Sequence, residues 1–174
     1  DMENNELYLA RDRIGEKPLY YGCQKGSFIF GSELKALRVH SDFENIIDRN
    51  SIALQLRFSS IPAPFSIYKG IKKLLPGSFI KLPLSNNIFQ IEDIPSPTPY
   101  WKLSNIITEG KSKVFMGSDN DALSQLDQLL HKSIQQQMLS DVPLGAFLSG
   151  GIDSSSIVAI MQAQSDKPIK TFTI

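Results

Sequence analysis

Residues 144–161 read LGAFLSGGIDSSSIVAIM: a short apolar run, a turn with two adjacent glycines, and a second apolar run long enough for a helix. LGAFLS predicts a buried strand, SGGIDSS a tight turn and SSIVAIMQAQ a helix, with IKTFTI at 169–174 as the next strand. Strand, helix and strand make one βαβ unit, which implies a parallel sheet with a right-handed crossover. Gly150 and Gly151 lack Cβ atoms, so the turn can be tight and its amides can approach a ligand closely. The helix that follows offers unsatisfied N–H donors and a partial positive charge, which suits a phosphate. Ser149, Ser154 and Ser155 add hydroxyl donors, and Asp153 is a natural ligand for the Mg²⁺ that accompanies phosphates. The stretch has neither the lysine of a Walker-type loop nor the glycine spacing of a dinucleotide fingerprint, so neither chemistry is indicated. A serine–glycine turn that caps a helix and holds no ligand is the plain alternative.

Working outward, Leu123, Leu126, Leu130, Ile134 and Met138 fall on one stripe of a long amphipathic helix from Asp119, read as core packing. Residues 104–118, after prolines 95, 97 and 99, carry little periodicity and read as a linker. Two domains follow, at 1–103 and 119–174. The first third is β structure, with ELYLAR (6–11), LYYGC (19–23) and GSFIFGS (26–32) predicting a small antiparallel meander. ELKALRVH (33–40) suits a short helix. IALQLRF (52–58) suits another, capped by Asp48 or Ser51 and broken by Ile61-Pro62-Ala63-Pro64. GSFIKL (77–82) and IFQIEDI (88–94) predict a strand pair. The fold class is α+β followed by α/β.

Lys+Arg and Asp+Glu both total 18, so there is no cationic surplus for a broad nucleic-acid face. No apolar run approaches the roughly 20 residues that span a bilayer, and the polar, acidic start gives no secretory signal. The single cysteine, Cys23, excludes an internal disulfide and reads as structural; a cytoplasmic protein is expected. Arg11, Asp12, Arg13 and Lys17 read as shaping their loop, Tyr100 and Trp101 as apolar anchors. His40 and His131 lack companions at metal-ligand spacing. The chain opens on Asp1 and closes on the β-rich run TFTI, from which we expect an interior piece of a longer protein.

The SGGxDS pattern at 149–154 resembles the pyrophosphate-binding loop of the ATP pyrophosphatases, which cleave ATP between the α and β phosphates and adenylate a substrate. SDVPLGAFLSGGIDSSSIVAIM (140–161) is similar to the start of the synthetase domain of glutamine-hydrolysing asparagine synthetases. LARDRIGEKPLYYG (9–22) resembles the closing hairpin of the class II glutaminase domain in the same enzymes. FGSELKAL (30–37) and PAPFSIYKGIKKLLPGSFI (62–80) resemble the segments that follow it. Four blocks in the right order cover most of the chain.

The resemblance implies the end of an N-terminal-nucleophile glutaminase sandwich, then the first βαβ unit of a parallel-sheet ATP pyrophosphatase domain. It implies that Ser149, Gly150, Gly151, Ser154 and Ser155 hold the β- and γ-phosphates of ATP and that Asp153 helps bind Mg²⁺. Backbone groups of Phe147 and Ile174 would contact adenine. The implied substrates are glutamine, aspartate and ATP, with room for a homodimer. The family's glutaminase uses an amino-terminal cysteine, whereas residue 1 is Asp1, so this chain alone is expected to be inactive. A related amidotransferase acting on another carboxylate, or a non-catalytic nucleotide-binding remnant, remains open.

Overall fold

Alternation along short strands builds the first core. In the computed structural model, which describes residues 1–84 and 93–173, β1 (Glu6–Ala10) turns Leu7 and Leu9 inward and leaves Tyr8 outside. β5 (Ser78–Pro83) likewise buries Ser78, Ile80 and Leu82 on one face. The two strands pair antiparallel with Leu9 opposite Ile80 and Leu7 opposite Leu82. On the outer face Lys81 Nζ lies 2.7 Å from the Glu6 carboxylate and over the Tyr8 ring. β2 (Tyr20–Gln24), β3 (Ser27–Gly31) and β4 (Ile71–Lys73) form a second antiparallel sheet in the order β3-β2-β4. The strand β6 (Thr98–Pro99) extends the first, in the order β1-β5-β6. Leu9, Tyr21, Leu74, Ile80 and Leu82 form one buried cluster, drawing on both sheets. Ile29, Leu37, Phe43 and Ile71 form another, with Leu37 supplied by the short helix α1 (Leu34–Leu37).

The expected three-strand meander is corrected. β2 and β3 are a hairpin, closed by Lys25 and Gly26 at φ 48° and 80°, the double left-handed turn that matches strand twist. β1, however, pairs with β5 in the other sheet, so residues 9–22 are a connection between sheets rather than a hairpin. The cause lies in Arg11 and Asp12. The Asp12 carboxylate accepts N–H bonds from Ile14, Gly15, Glu16 and Lys17, coiling the loop on itself. The Arg11 guanidinium donates to the carbonyls of Lys17, Gly15 and Leu74 at 2.9, 2.8 and 2.7 Å. These bonds replace the ladder a hairpin would have supplied.

Gly22 has a separate reason to be glycine: a Cβ there would stand 2.0 Å from the Gly70 carbonyl oxygen, where β4 crosses. Helix α2 (Arg49–Phe58) is capped by Asp48, whose carboxylate accepts from the Asn50 amide and the Ser51 hydroxyl. It stops at Ser59, in the left-handed region at φ 56°, before the prolines are reached. β5 pairs with β1 and β6; most of its expected partner, IFQIEDI, lies outside the described residues.

The described chain divides into two compact units, Asp1–Ser112 and Lys113–Ile174. Within the stretch read as an irregular linker runs a helix, α3 (Leu103–Ser112). Its first turn is closed by Asn105 and Ile106 amides donating to the Lys102 carbonyl. In the second unit, α4 (Asp119–Gln137) starts at a reciprocal capping box between Ser118 and Asp121. The strands β7 (Gly145–Phe147) and β8 (Lys170–Phe172) pair in parallel on either side of α5 (Ile152–Ala163). α5 packs against α4, where the Gln164 side chain donates to the His131 carbonyl at 3.2 Å. The stripe read as core is not buried here: Leu123, Leu126 and Leu130 are all exposed. Two strands and one further helix present too little surface to cover a 19-residue helix. Met161 is the one buried side chain of this unit among the described residues.

Two outcomes follow for the first unit. Leu74 is fully buried, so Leu74→Ala lowers stability by about 2–5 kcal/mol in denaturant titration. Burial pushes the Asp12 carboxyl up, but the four amides of Lys17, Glu16, Gly15 and Ile14 outweigh it and hold it below the ordinary aspartate value of 3.8. A depressed carboxyl stabilises the fold above its unfolded value and loses that contribution as pH falls through the folded value. The gap in unfolding midpoint between the native protein and Asp12→Ala therefore narrows as pH drops below about 4.

Candidate functional site

The parallel ladder sets where the glycine turn emerges. Gly145 pairs with Lys170, Ala146 with Thr171 and Phe147 with Phe172. The Leu148 amide then donates to the Phe172 carbonyl at 2.8 Å, and the Thr173 hydroxyl donates back to the Leu148 carbonyl. Both strands therefore end at the same level, and the chain leaves β7 at Ser149. Gly150 reverses it at φ 80°, and a Cβ there would meet nothing within 4 Å. Glycine is required at this position for its conformation, not for space.

Gly151 is the N-cap of α5, extended at φ −80° and ψ 160°, with no side chain to cap the helix. The first intrahelical bond runs from the Ser155 amide to the Gly151 carbonyl at 3.1 Å. The amides of Ile152, Asp153 and Ser154 consequently donate to nothing among the described residues. They point out of the helix start, where the peptide dipoles give about half a positive charge.

Ser154 holds the turn in shape. Its hydroxyl donates to the Gly151 carbonyl at 3.2 Å and accepts the Ser149 amide at 3.3 Å. The Ser149 hydroxyl is 3.1 Å away; because the Ser154 proton is already committed, Ser149 is the donor of that pair. Ser154 is half-buried, whereas Ser149, Gly150, Gly151, Asp153 and Ser155 are exposed. The Ser155 hydroxyl has no partner among the described residues, which leaves it available to an incoming oxygen.

This arrangement can receive an anion rich in oxygen acceptors. Asp153, exposed in the first turn, supplies one carboxylate beside it. The described residues contain no group of three or more His, Cys, Asp or Glu positioned around a common metal. One carboxylate with phosphate oxygens and water is nevertheless the usual manner in which Mg²⁺ is held, so the residues present fit a phosphate-borne cation.

The structure brings together all six loop residues singled out from sequence. Phe147 lies at the end of β7 and is 74% exposed, while Ile174 lies outside the described residues. Cys23 sits mid-strand in β2 opposite Phe28. Arg11, Asp12 and Lys17 belong to the loop of the first unit. His131 Nδ1 lies 3.4 Å from the Asp127 carboxylate one turn earlier on α4. No helix of the described residues is long and apolar enough to cross a membrane. What sequence reading did not find is a cleft in the first unit beside Trp101; its one visible sign was the run of three prolines at 95, 97 and 99.

The family model described as a glutamine amidotransferase domain matches residues 1–101, and the one described as asparagine synthase matches residues 125–174. The glutamine-hydrolysing asparagine synthetase 3 of Bacillus subtilis is 33% identical across the whole chain, which corresponds to 27% of that protein. The glutamine-hydrolysing asparagine synthetase 1 of the same organism is also 33% identical, over 100% of this chain and 25% of its own length. The chain thus spans about a quarter of these relatives.

Replacing Gly150 by alanine forces a Cβ into the left-handed region without any clash. Gly150→Ala is expected to cost about 1–2 kcal/mol, read as faster amide hydrogen exchange in the first turns of α5.

Proposed function

The chain belongs to the glutamine-hydrolysing asparagine synthetase family, and we propose on that basis that its 149–155 loop binds the β- and γ-phosphates of ATP in an aspartate-adenylating enzyme. The observation that carries this reading is the row of three unpaired amides, Ile152, Asp153 and Ser154, behind two glycines at the start of α5. Donors fixed in place before the substrate arrives stabilise charge as it develops on departing pyrophosphate, at no cost of reorganisation. Ser155 adds a hydroxyl to the same anion, and Ser154 keeps the turn rigid through its three hydrogen bonds. Asp153 would hold Mg²⁺, which when bound neutralises phosphate charge. Backbone groups at Phe147 would meet the adenine, with Ile174 the second such position by resemblance.

In this reading the whole protein hydrolyses glutamine, passes ammonia to a second site, and joins it to aspartate activated by ATP. Asparagine, glutamate, AMP and pyrophosphate leave. Residues 1–103 form the later part of the class II amidotransferase domain, an N-terminal-nucleophile sandwich to which both small sheets belong. Residues 104–118 connect it to the first βαβ unit of the synthetase domain at 119–174. The protein acts in the cytoplasm.

The test uses the complete protein with glutamine, aspartate and MgATP, following asparagine and AMP by mass spectrometry. Asparagine should form in equal amount with AMP, and Asp153→Asn should slow both about 100-fold or more. AMP formation at an unchanged rate in the variant would remove Asp153 from the site. Glutamate released without asparagine would instead point to a different acceptor carboxylate.

A further inference from the structure

The first unit contains a cleft of about 670 Å³ remote in sequence from the glycine turn. Its volume falls within the range of small-molecule sites. Ile14, Leu75, Trp101 and Leu103 give it apolar walls. Pro76, Pro97 and Pro99 complete them, and proline contributes no N–H. Among the described residues that line the cleft the charged groups are both cationic, Arg13 and Lys102, and none is Asp or Glu. Neither cation, nor the Trp101 indole N–H, has a partner among the described residues.

The walls are preformed. Arg11 ties the loop that carries Arg13 and Ile14 to the Leu74 carbonyl, directly before Leu75. The Tyr100 and Trp101 amides donate to the Gly77 carbonyl at 2.8 and 3.1 Å, and the Tyr100 hydroxyl donates to the Arg11 carbonyl at 2.7 Å. Both sides of the cleft are therefore held to the same frame before any ligand enters.

We propose that this cleft binds an amphipathic organic anion: an aromatic or aliphatic body against Trp101, Ile14 and Leu75, and one carboxylate or sulfonate between Arg13 and Lys102. Two cations with no partner and no acidic neighbour among the described lining residues favour an anion over a neutral ligand of equal size. The indole face adds area for a planar ring.

The experiment is ¹⁹F NMR of the complete protein labelled with 5-fluorotryptophan, with the Trp101 resonance assigned through Trp101→Phe. The probes are 2-naphthoate and its neutral analogue 2-naphthamide. Naphthoate should shift the Trp101 resonance saturably and bind about tenfold more tightly than naphthamide. The double variant Arg13→Gln, Lys102→Gln should lose about tenfold in naphthoate affinity and keep its naphthamide affinity, which also shows that the cleft is intact. A Trp101 resonance that does not move at millimolar naphthoate would overturn the proposal. Equal affinity for the two probes, or a double variant that binds naphthoate as the native protein does, would overturn it as well.

Discussion

Backbone amides and carbonyls must be paired when water is excluded, and the way this chain meets that demand shapes both of its units. Between β1 and β2 no ladder is available, so Arg11 and Asp12 take over the pairing, one donating to three carbonyls and the other accepting from four amides. That loop lets β1 leave β2 and join β5, and the shared cluster around Leu74 depends on the exchange. At the start of α5 the demand is left unmet. Gly151 offers no capping side chain, and three amides face solvent where an anion can reach them. Ser118 provides the contrast: at the start of α4 a capping box pairs the Asp121 and Ser118 amides, whereas Gly151 can pair none at the start of α5.

The two units differ in how far they satisfy their apolar surface. The first buries two clusters, and nearly all of its strands carry one inward face. The second leaves Phe147, Phe172, Ile152 and the leucines of α4 exposed. A βαβ unit ordinarily has neighbours on both sheet edges and both faces, so this surface is what a larger parallel sheet would cover. The geometry of the turn nevertheless depends only on local bonds: the β7–β8 register, the Thr173 hydroxyl and the Ser154 hydrogen bonds.

Local features were legible in the sequence and long-range pairings were not. Asp48 as a cap, the start of α4 at Asp119, the parallel β7–α5–β8 unit and the glycine turn all follow from residues close together in the chain. The pairing of β1 with β5 joins residues some seventy positions apart, and no spacing along the chain encodes it. Helix α3 was hidden differently: Leu103, Ile106 and Ile107 do repeat at helical spacing, but the prolines before them and the glycine at 110 masked the signal. The stripe on α4 was a correct helix signal, but the described residues do not bury it, because amphipathicity identifies an apolar face without saying what covers it. The loop residues were readable because the chemistry needs them consecutively. The cleft by Trp101 was not, since its walls come from three separate segments.

The most direct test of the proposed role of the glycine turn is a crystal structure of the complete protein with Mg²⁺ and a non-hydrolysable ATP analogue. β- and γ-phosphate oxygens should lie about 3 Å from the amides of Ile152, Asp153 and Ser154, and Asp153 should be the residue of this loop that holds the cation. A nucleotide bound elsewhere, with these three amides still facing water, would contradict it.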